Sequence, residues 1–496
     1  MKKAIYFWKK TGFLFSKIKT IQIIFLVYIS IILIGAGILS TPIAQENKNN
    51  PVDFFTSLFT SVSAFSDTGL SLVNVSQSFN IFGQALIAIL ILVGGTGFFA
   101  IKFYFFNLLF RKKLGLKSRE ILKIERSSNN IGELKNVIKT TVTFFLITIL
   151  IFSLILTLHF YFYNPGENKL EPGNNPYKNV NLAFRYGFFH TISALNNAGF
   201  DIVGSSSFSP YYGDIFLQTT FIFLIIFGGI GFPVIYDFSQ YFKQKLFFKN
   251  KTKMQLSLFS KICIIANFSI TAFSFVLFLL FEETRNTIYW NTTSGNWFTK
   301  SYTLLFHSFS TRSTGFAFFD VNHLSQPSLF LTSILMFIGS SPSSTGGGVR
   351  VTTIWILFLN IIAKFRNHNQ IFCFKRKIGS EKITTATFVI FVSFILCVAL
   401  ILFSSVYLNT INLANKNNPD YVDFQLGHVI FEVTSAFGTS GLSTGLIQHL
   451  NRGVQVGFML IMLIGQLGIS SSILMWKGDG VDRTSHSYIS EDFVIN

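Results

Sequence analysis

An eight-residue segment whose seventh residue is glycine, SAFSDTGL at 63–70, recurs three more times along the chain. Its copies are SALNNAGF at 193–200, FSTRSTGF at 309–316 and SAFGTSGL at 435–442. The four glycines lie at similar intervals: Gly69, Gly199, Gly315 and Gly441. A second glycine follows each of them inside the next apolar run, at Gly94, Gly228, Gly339 and Gly465. Repetition of this kind predicts four copies of one structural unit.

The composition is that of a membrane-embedded chain. Of its 496 residues, 50% are hydrophobic and only 12% are charged, which is too apolar for a soluble protein of this length. The net charge of +18 comes from lysines and arginines in short segments between apolar runs, so it indicates membrane topology and not nucleic-acid binding. Cys263, Cys373 and Cys397 lack the spacing of a disulfide framework or a zinc site.

Eight apolar runs are long enough to cross a membrane, which takes about 20 residues. They lie at 21–40, 81–107, 140–163, 214–236, 262–281, 328–363, 384–407 and 454–475. A shorter half-apolar segment lies between the two members of each pair, at 53–66, 182–196, 298–311 and 423–437. Such segments fit re-entrant helices, which membranes tolerate where they line a cavity. We therefore predict an all-α polytopic membrane protein with four pseudo-symmetric helix–pore helix–helix repeats around one central pore.

The basic segments divide the repeats and orient them. By the positive-inside rule, the basic linkers and both termini are cytoplasmic and the glycine turns face outward. The predicted boundaries are a cytoplasmic N-terminus at 1–19, repeat 1 at 20–110, a linker at 111–139, repeat 2 at 140–240, a linker at 241–258, repeat 3 at 259–365, a linker at 366–383, repeat 4 at 384–476 and a cytoplasmic tail at 477–496.

The glycine turns have the chemistry of a cation filter. A dehydrated K⁺ must exchange its water shell for other oxygens, and rings of main-chain carbonyls supply them in known filters. Glycine permits the positive φ and the close approach that an inward-pointing carbonyl needs, and the pore helices would direct their partly negative C-terminal ends at the ion. The predicted ligands, mainly through main-chain oxygens, are Asp67, Thr68, Gly69, Asn197, Ala198, Gly199, Ser313, Thr314, Gly315, Thr439, Ser440 and Gly441.

Four charged residues lie in or near these turns. For Asp67 and Arg312 we favour side chains that point away from the pore into polar contacts behind the filter, although exposure to the pore is the alternative. Asp201 and Asp320 lie just beyond their turns, where they could concentrate cations at the outer mouth. Solvated loop carboxylates are an equal explanation for that pair.

The second apolar run of the third repeat is interrupted by GSSPSSTGGGVR at 339–350. Pro342 and three consecutive glycines cannot continue a helix in an apolar setting unless they line a cavity. A simple helix kink is the plainer interpretation of the same residues.

With four glycine turns in order, the chain resembles the Trk/Ktr/HKT superfamily of potassium transporters from about residue 20 to 475, and most closely the Ktr membrane subunit. The resemblance implies K⁺ uptake across the plasma membrane, K⁺ preference from the four glycines, and a gating loop below the filter. The implied gate residues are Gly339, Ser340, Ser341, Pro342, Ser343, Ser344, Thr345, Gly346, Gly347, Gly348, Arg350 and Gln466.

The resemblance also implies partners. These are a second copy of the chain in a homodimer and a cytoplasmic ring of nucleotide-binding regulatory subunits. The basic segments would suit membrane lipids equally well. K⁺ is the transported ion, Na⁺ dependence is open, and no organic cofactor is expected. The fourth repeat departs from the family, because Gln466 in GQLG at 465–468 replaces the usual arginine. We hypothesise that the missing barrier charge makes the pore leakier or more loosely gated.

Three other functions compete with K⁺ uptake. A sodium or other monovalent-cation transporter would share the whole architecture. A carrier with inverted repeats would show two opposed halves, whereas these four units follow one another in one orientation. A membrane enzyme would need clustered titratable groups, and His159, His190, His307, His428 and Glu432 show no partner cluster in the sequence. The chain is therefore predicted not to be an enzyme.

Overall fold

The structure is a computed structural model that describes residues 20–47, 51–97, 100–102, 104, 134–165, 170, 174–204, 207–247, 256–283, 287–293, 295–368, 370–374, 376–415 and 423–469. The predicted N-terminal segment 1–19, the tail 477–496 and most of the basic linker 111–139 lie outside the described residues.

The first two repeats have the predicted order of elements. Repeat 1 contains α1 (Thr20–Leu39), α2 (Phe54–Phe65), α3 (Val75–Ser78) and α4 (Ile81–Thr96). Repeat 2 contains α5 (Leu134–Phe162), α6 (Val180–Leu195), a 3₁₀ turn (Ser209–Tyr211), α7 (Ile215–Gly229) and α8 (Phe232–Phe247).

The last two repeats follow the same plan with additional short elements. Repeat 3 contains α9 (Leu258–Glu283), α10 (Ile288–Thr292), α11 (Trp297–Ser310), a 3₁₀ turn (Val321–His323), α12 (Gln326–Phe337) and α13 (Val351–Phe365). An antiparallel hairpin of β1 (Ile371–Cys373) and β2 (Arg376–Ile378) pairs Phe372 with Lys377. Repeat 4 contains α14 (Ser380–Ser405), α15 (Leu408–Asn415), α16 (Leu426–Gly438), a 3₁₀ turn (Leu446–His449) and α17 (Arg452–Leu467).

The short helices α2, α6, α11 and α16 are the predicted pore helices. Polar side chains start two of them: Asp53 accepts the amide of Thr56, and Asn179 accepts that of Leu182. A side-chain oxygen at this position satisfies an amide that has no partner within the helix. These two pore helices therefore begin at a local sequence signal, and all four lead into a glycine turn.

Buried apolar clusters join neighbouring repeats into one body. Phe59 of α2 and Phe458 of α17 belong to one cluster, and Leu335 of α12 and Phe431 of α16 belong to another. The long helices are apolar on their outer faces as well, where Leu150 is 69% exposed. Apolar residues on both faces are expected of helices that contact protein on one side and lipid on the other, and the predicted all-α fold is confirmed.

In the described part of the chain, four helices are individually long and apolar enough to cross a membrane. They are α1, α5, α9 and α14, the first helix of each repeat. The pair α7 and α8 counts as a fifth span if a bend of 100° lies within one crossing.

The prediction of continuous second spans at 81–107, 214–236 and 454–475 is wrong. Helix α4 stops before Gly97, α7 and α8 are separated at Gly231, and α17 stops before Gly468. Each of these glycines has a positive φ, of 85°, 96° and 81°, which the right-handed helix does not allow. The sequence signal for these three breaks is a G-x-x-G spacing, at 94–97, 228–231 and 465–468. In the third repeat the interruption at 339–350 breaks the second helix, so every repeat has a broken second helix.

Candidate functional site

The four glycine turns meet and form a closed ring. A Cβ atom added to Gly69 would lie 2.5 Å from the carbonyl oxygen of Ala198. A Cβ atom added to Gly199 would likewise overlap the carbonyl oxygen of Thr314. At Gly315 it would overlap the carbonyl oxygen of Ser440, and at Gly441 that of Thr68. Each glycine thus touches the residue before the glycine of the next repeat, in the order 1, 2, 3, 4 and back to 1.

Glycine is required at all four positions for two separate reasons. The φ angles of Gly69, Gly199, Gly315 and Gly441 are 91°, 68°, 76° and 86°, a region that side chains with a Cβ rarely adopt. The overlaps just described would also force neighbouring main chains apart. The ring therefore brings main-chain carbonyls from four repeats closer together than any other residue would permit.

The second set of glycines packs the ring from behind. A Cβ at Gly94, Gly228 or Gly465 would overlap the carbonyl of Phe65, Leu195 or Phe437, respectively. Each of these carbonyls belongs to the residue four positions before a ring glycine, near the end of a pore helix. In the third repeat the corresponding glycine, Gly339, contacts the carbonyl of Gly347 instead.

The third glycine turn is one residue shorter than the others, which the alignment by glycine did not reveal. Ser193 and Ser435 donate through Oγ to the carbonyls seven positions later, those of Phe200 and Leu442. Ser310 makes the same contact to Phe316, only six positions later. The sequence carries a signal of this difference, since repeat 3 has phenylalanine at 309, where the other repeats have serine.

Two buried side chains of the pore helices hold the chain beyond the ring. Nε2 of His190 accepts the amide of Ile202 at 3.2 Å, and Oε1 of Glu432 accepts the amide of Thr444 at 2.8 Å. Both acceptors lie nine positions before a ring glycine, and both amides lie three positions after it. His190 and Glu432 therefore have equivalent structural roles in repeats 2 and 4.

Asp201 and Asp320 cap short turns outside the ring. Oδ1 of Asp201 accepts the amide of Val203 at 3.3 Å, and Oδ1 of Asp320 accepts that of Asn322 at 2.9 Å. Asp320 is exposed, whereas Asp201 is partly buried.

His159 has a partner that the sequence did not reveal. Its Nε2 lies 2.6 Å from Oδ2 of Asp214, which also caps α7 through the amide of Leu217. The pair ties the end of α5 to the start of α7. No cluster of three or more metal-ligating side chains occurs among the described residues.

Residues 339–350 (the 339–350 loop) lie between α12 and α13 and bind the main chain of two broken helices. The amides of Ser341 and Thr345 donate to the carbonyls of Gly229 and Gly228 at 3.2 and 3.3 Å. The amide of Gly348 donates to the carbonyl of Gly465 at 3.2 Å. These bonds replace helical ones, so main chain at membrane depth keeps its partners.

The 339–350 loop also touches the side chains that lie two positions before the ring glycines. These side chains are called the pre-ring residues: Asp67, Asn197, Ser313 and Thr439. Oγ1 of Thr345 accepts from Nδ2 of Asn197 at 3.0 Å, and the amide of Gly347 donates to Oγ1 of Thr439 at 2.7 Å. Oγ of Ser340 donates to Oγ of Ser313 at 2.8 Å. The loop therefore lies directly against the ring.

Gln466 connects the fourth pre-ring residue, Asp67, to the same loop. Its Nε2 donates to Oδ2 of Asp67 and to the carbonyl of Thr345, both at 3.0 Å. Arg350 donates through Nη2 to the main-chain carbonyl of Gln466 at 3.2 Å and through Nη1 to that of Gly346. Gln466 thus lies where the loop, the ring and the broken helix α17 meet.

Arg312 is 5% exposed and joins the third turn to the loop from behind. Nη2 donates to the carbonyl of Gly339 at 2.6 Å, and Nη1 donates to that of Asn267 at 3.3 Å. The side chain of Asn267 on α9 in turn donates to Oγ of Ser341 at 2.6 Å. Sequence reasoning missed Asn267, because a lone asparagine in an apolar helix carries no pattern.

The chain is similar to known cation transport proteins in sequence and in fold. The family described as TrkH, cation transport protein, matches residues 11–478. An uncharacterized cation transporter of Mycoplasma genitalium is 33% identical over 95% of this chain and 96% of its own length. Ktr system potassium uptake protein D of Bacillus subtilis is 30% identical over 98% and 99%. The potassium transporter TrkH of Vibrio parahaemolyticus has a similar fold, with a TM-score of 0.60, 14% identity and coverage of 93% and 86%.

Proposed function

Because this chain belongs to the TrkH family of cation transport proteins, we propose that it takes up K⁺ through the ring of glycine turns, under control of the 339–350 loop. Its relatives are transporters and not enzymes. Membership of the Trk/Ktr family supports potassium or cation uptake as the activity. The selectivity filter, the gate and any dependence on Na⁺ are the finer parts of the proposal.

The closed ring is the observation that carries the proposal. Four main-chain carbonyls, those of Thr68, Ala198, Thr314 and Ser440, lie against four glycines with positive φ. Carbonyl rings of this kind replace the hydration shell of K⁺. The other predicted ligands, the ring glycines themselves and the pre-ring residues, adjoin these carbonyls in the chain.

The position of the 339–350 loop supports a role as gate. It contacts three pre-ring residues directly and the fourth through Gln466, and its amides hold the broken ends of α7 and α17. A loop in that place would block the path on one side of the ring. The contacts are individual hydrogen bonds, each worth about 0.5–1.5 kcal/mol, so the closed position is stable and yet reversible.

The driving force would come from the membrane potential, which supplies about 2.3 kcal/mol per charge per 100 mV. The predicted plasma-membrane location, cytoplasmic termini, homodimer and regulatory ring of nucleotide-binding subunits belong to the same proposal. Lys364 and Arg366 at the end of α13 support a cytoplasmic end there by the positive-inside rule. Anionic lipid headgroups would suit the same basic residues.

Growth of a bacterium that lacks its own K⁺ uptake systems tests the proposal. We expect the chain to restore growth at low K⁺, and parallel cultures with and without Na⁺ decide whether Na⁺ is required. Gly69→Ser should reduce the preference for K⁺ over Na⁺ in uptake assays. Gly453→Ser is the matched control, because Gly453 has open space around it. Equal ion preference in both variants would refute the filter.

A further inference from the structure

A cavity of about 40 Å³ lies behind the third glycine turn, between α7, α9 and the pore helix α11. Its walls include the apolar side chains of Ile225, Phe268 and Phe309, and polar side chains complete the lining. A cavity needs about 10–15 Å³ of such volume to hold one water molecule. This cavity therefore has room for an ion or molecule larger than a single water.

Arg312 brings a positive charge to the wall of this cavity. Its described hydrogen bonds go to main-chain carbonyls, those of Gly339 and Asn267, and none of the ion pairs among the described residues involves it. Carbonyl oxygens satisfy N–H donors but carry no full negative charge. A buried charge is normally paired with one of opposite sign, because leaving water without a partner is costly. Within the described part of the chain, Arg312 has no such partner.

Two hydrogen-bond donors on the cavity wall are unused. Nε of Arg312 is buried and has no hydrogen-bond partner among the described residues. Oγ of Ser313, which also lines the cavity, accepts from Oγ of Ser340 at 2.8 Å, and no described acceptor takes its own proton. A hydroxyl group can accept and donate at the same time. Two adjacent residues of the third turn thus offer a charged donor and a neutral donor to one cavity.

We propose that this cavity binds a small monovalent anion of the size and charge of chloride. The anion accepts the Nε–H of Arg312 and the hydroxyl of Ser313, and its charge compensates that of the guanidinium. The apolar walls strengthen the attraction, because charges interact more strongly in a medium of low dielectric constant. Water would accept the same two donors, but it carries no charge to offset that of Arg312.

The bound anion has a consequence for the ring. Arg312 lies two residues before Thr314, whose carbonyl belongs to the ring, so an uncompensated guanidinium would disfavour a cation there. The anion removes this repulsion. This consequence rests on the proposed function, whereas the binding of the anion does not.

Thermal unfolding in chloride tests the inference. The full-length protein in detergent is heated in potassium chloride and in potassium gluconate at equal K⁺ concentration, since gluconate is too large for the cavity. We expect chloride to raise the unfolding temperature by about 2 °C or more and the effect to saturate, because a ligand that binds only the folded state stabilises it.

Three variants locate the effect. Arg312→Met removes the charge and the donor, and it should unfold at the same temperature in both salts. Arg185→Met is the matched control and should keep the full response, because Nε of Arg185 already donates to Oε1 of Gln84 at 2.8 Å. Gly229→Ala keeps the guanidinium but adds a methyl group to the cavity wall, where the closest neighbouring atoms would lie 3.5 Å from it. It should raise the chloride concentration of half-maximal stabilisation severalfold, and it decides the test if Arg312→Met does not fold.

Bromide shows where the anion binds. Crystals grown in potassium bromide should give an anomalous scattering peak within hydrogen-bonding distance of Nε of Arg312. Absence of a chloride response, an equal response in Arg312→Met, an unchanged half-maximal concentration in Gly229→Ala, or a cavity without a bromide peak would each overturn the inference and leave the proposed K⁺ uptake standing. Failure of the unsubstituted protein to take up K⁺ would refute the proposed function and not the anion site.

Discussion

Nε2 of Gln466 lies 3.0 Å from Oδ2 of Asp67, although the two residues are 399 positions apart in the chain. The contact joins the first glycine turn to the break in the last helix, and the same amide also holds the carbonyl of Thr345 in the 339–350 loop. One neutral side chain therefore connects ring, loop and helix break. Substitutions at these contacts have different expected effects on flux and on stability.

Gln466→Arg should reduce K⁺ uptake. The guanidinium would place a positive charge beside Asp67 and close to the proposed cation path, where charges are screened poorly. We expect the uptake rate to fall about tenfold or more, since about 1.4 kcal/mol of added barrier has that effect. The control Gln466→Met has similar size without charge. Unchanged K⁺ flux in Gln466→Arg would show that this position does not make the pore leakier than its relatives.

Arg312→Met should loosen the closed loop. The variant loses the donors to the carbonyls of Gly339 and Asn267 without leaving a buried unpaired charge. We expect faster K⁺ efflux from loaded vesicles in the absence of any partner. Arg312→Lys should rescue only in part, because one ammonium cannot match the fork of a guanidinium. Efflux equal to that of the unsubstituted protein in both variants would argue against this role.

Gly228→Ala should destabilise the folded protein. The added methyl group would overlap the carbonyl of Leu195 at the end of α6, and the close-packed interior has no space to relax into. We expect a cost of about 1–3 kcal/mol, measured as a lower unfolding temperature in detergent. Gly37→Ala is the control, since nothing lies within 4 Å of the corresponding Cβ and alanine suits a helix. Equal unfolding temperatures would contradict the packing.

Glu432→Leu should disturb the chain beyond the fourth turn. The hydroxyls of Ser443 and Thr444 and the amide of Thr444 would lose their common acceptor. A buried amide without a partner costs about 1–3 kcal/mol. Glu432→Gln keeps an acceptor oxygen and should remain close to the original stability. If the two variants unfold at the same temperature, the carboxylate does not hold this segment.

The fold was predictable because its signals are local. Apolar runs, short half-apolar segments and glycine turns recur in order. Each turn has glycine at the position where the main chain adopts a positive φ. The ring residues could be named in advance for the same reason. By contrast, the breaks at Gly97, Gly231 and Gly468 were not predicted, although their G-x-x-G spacing was present, because an apolar run with few charges has the pattern of a continuous helix.

The sequence by itself determined the four repeats, the pore helices, the turns and the interruption at 339–350. Only the tertiary structure decided which carbonyl meets which glycine, that the third turn is a residue shorter, and that Asp67 and Gln466 share a hydrogen bond. These features depend on contacts between segments that are far apart in the chain, and such contacts leave no periodic pattern in any one segment. Their geometry follows from how four similar but unequal repeats close around one axis.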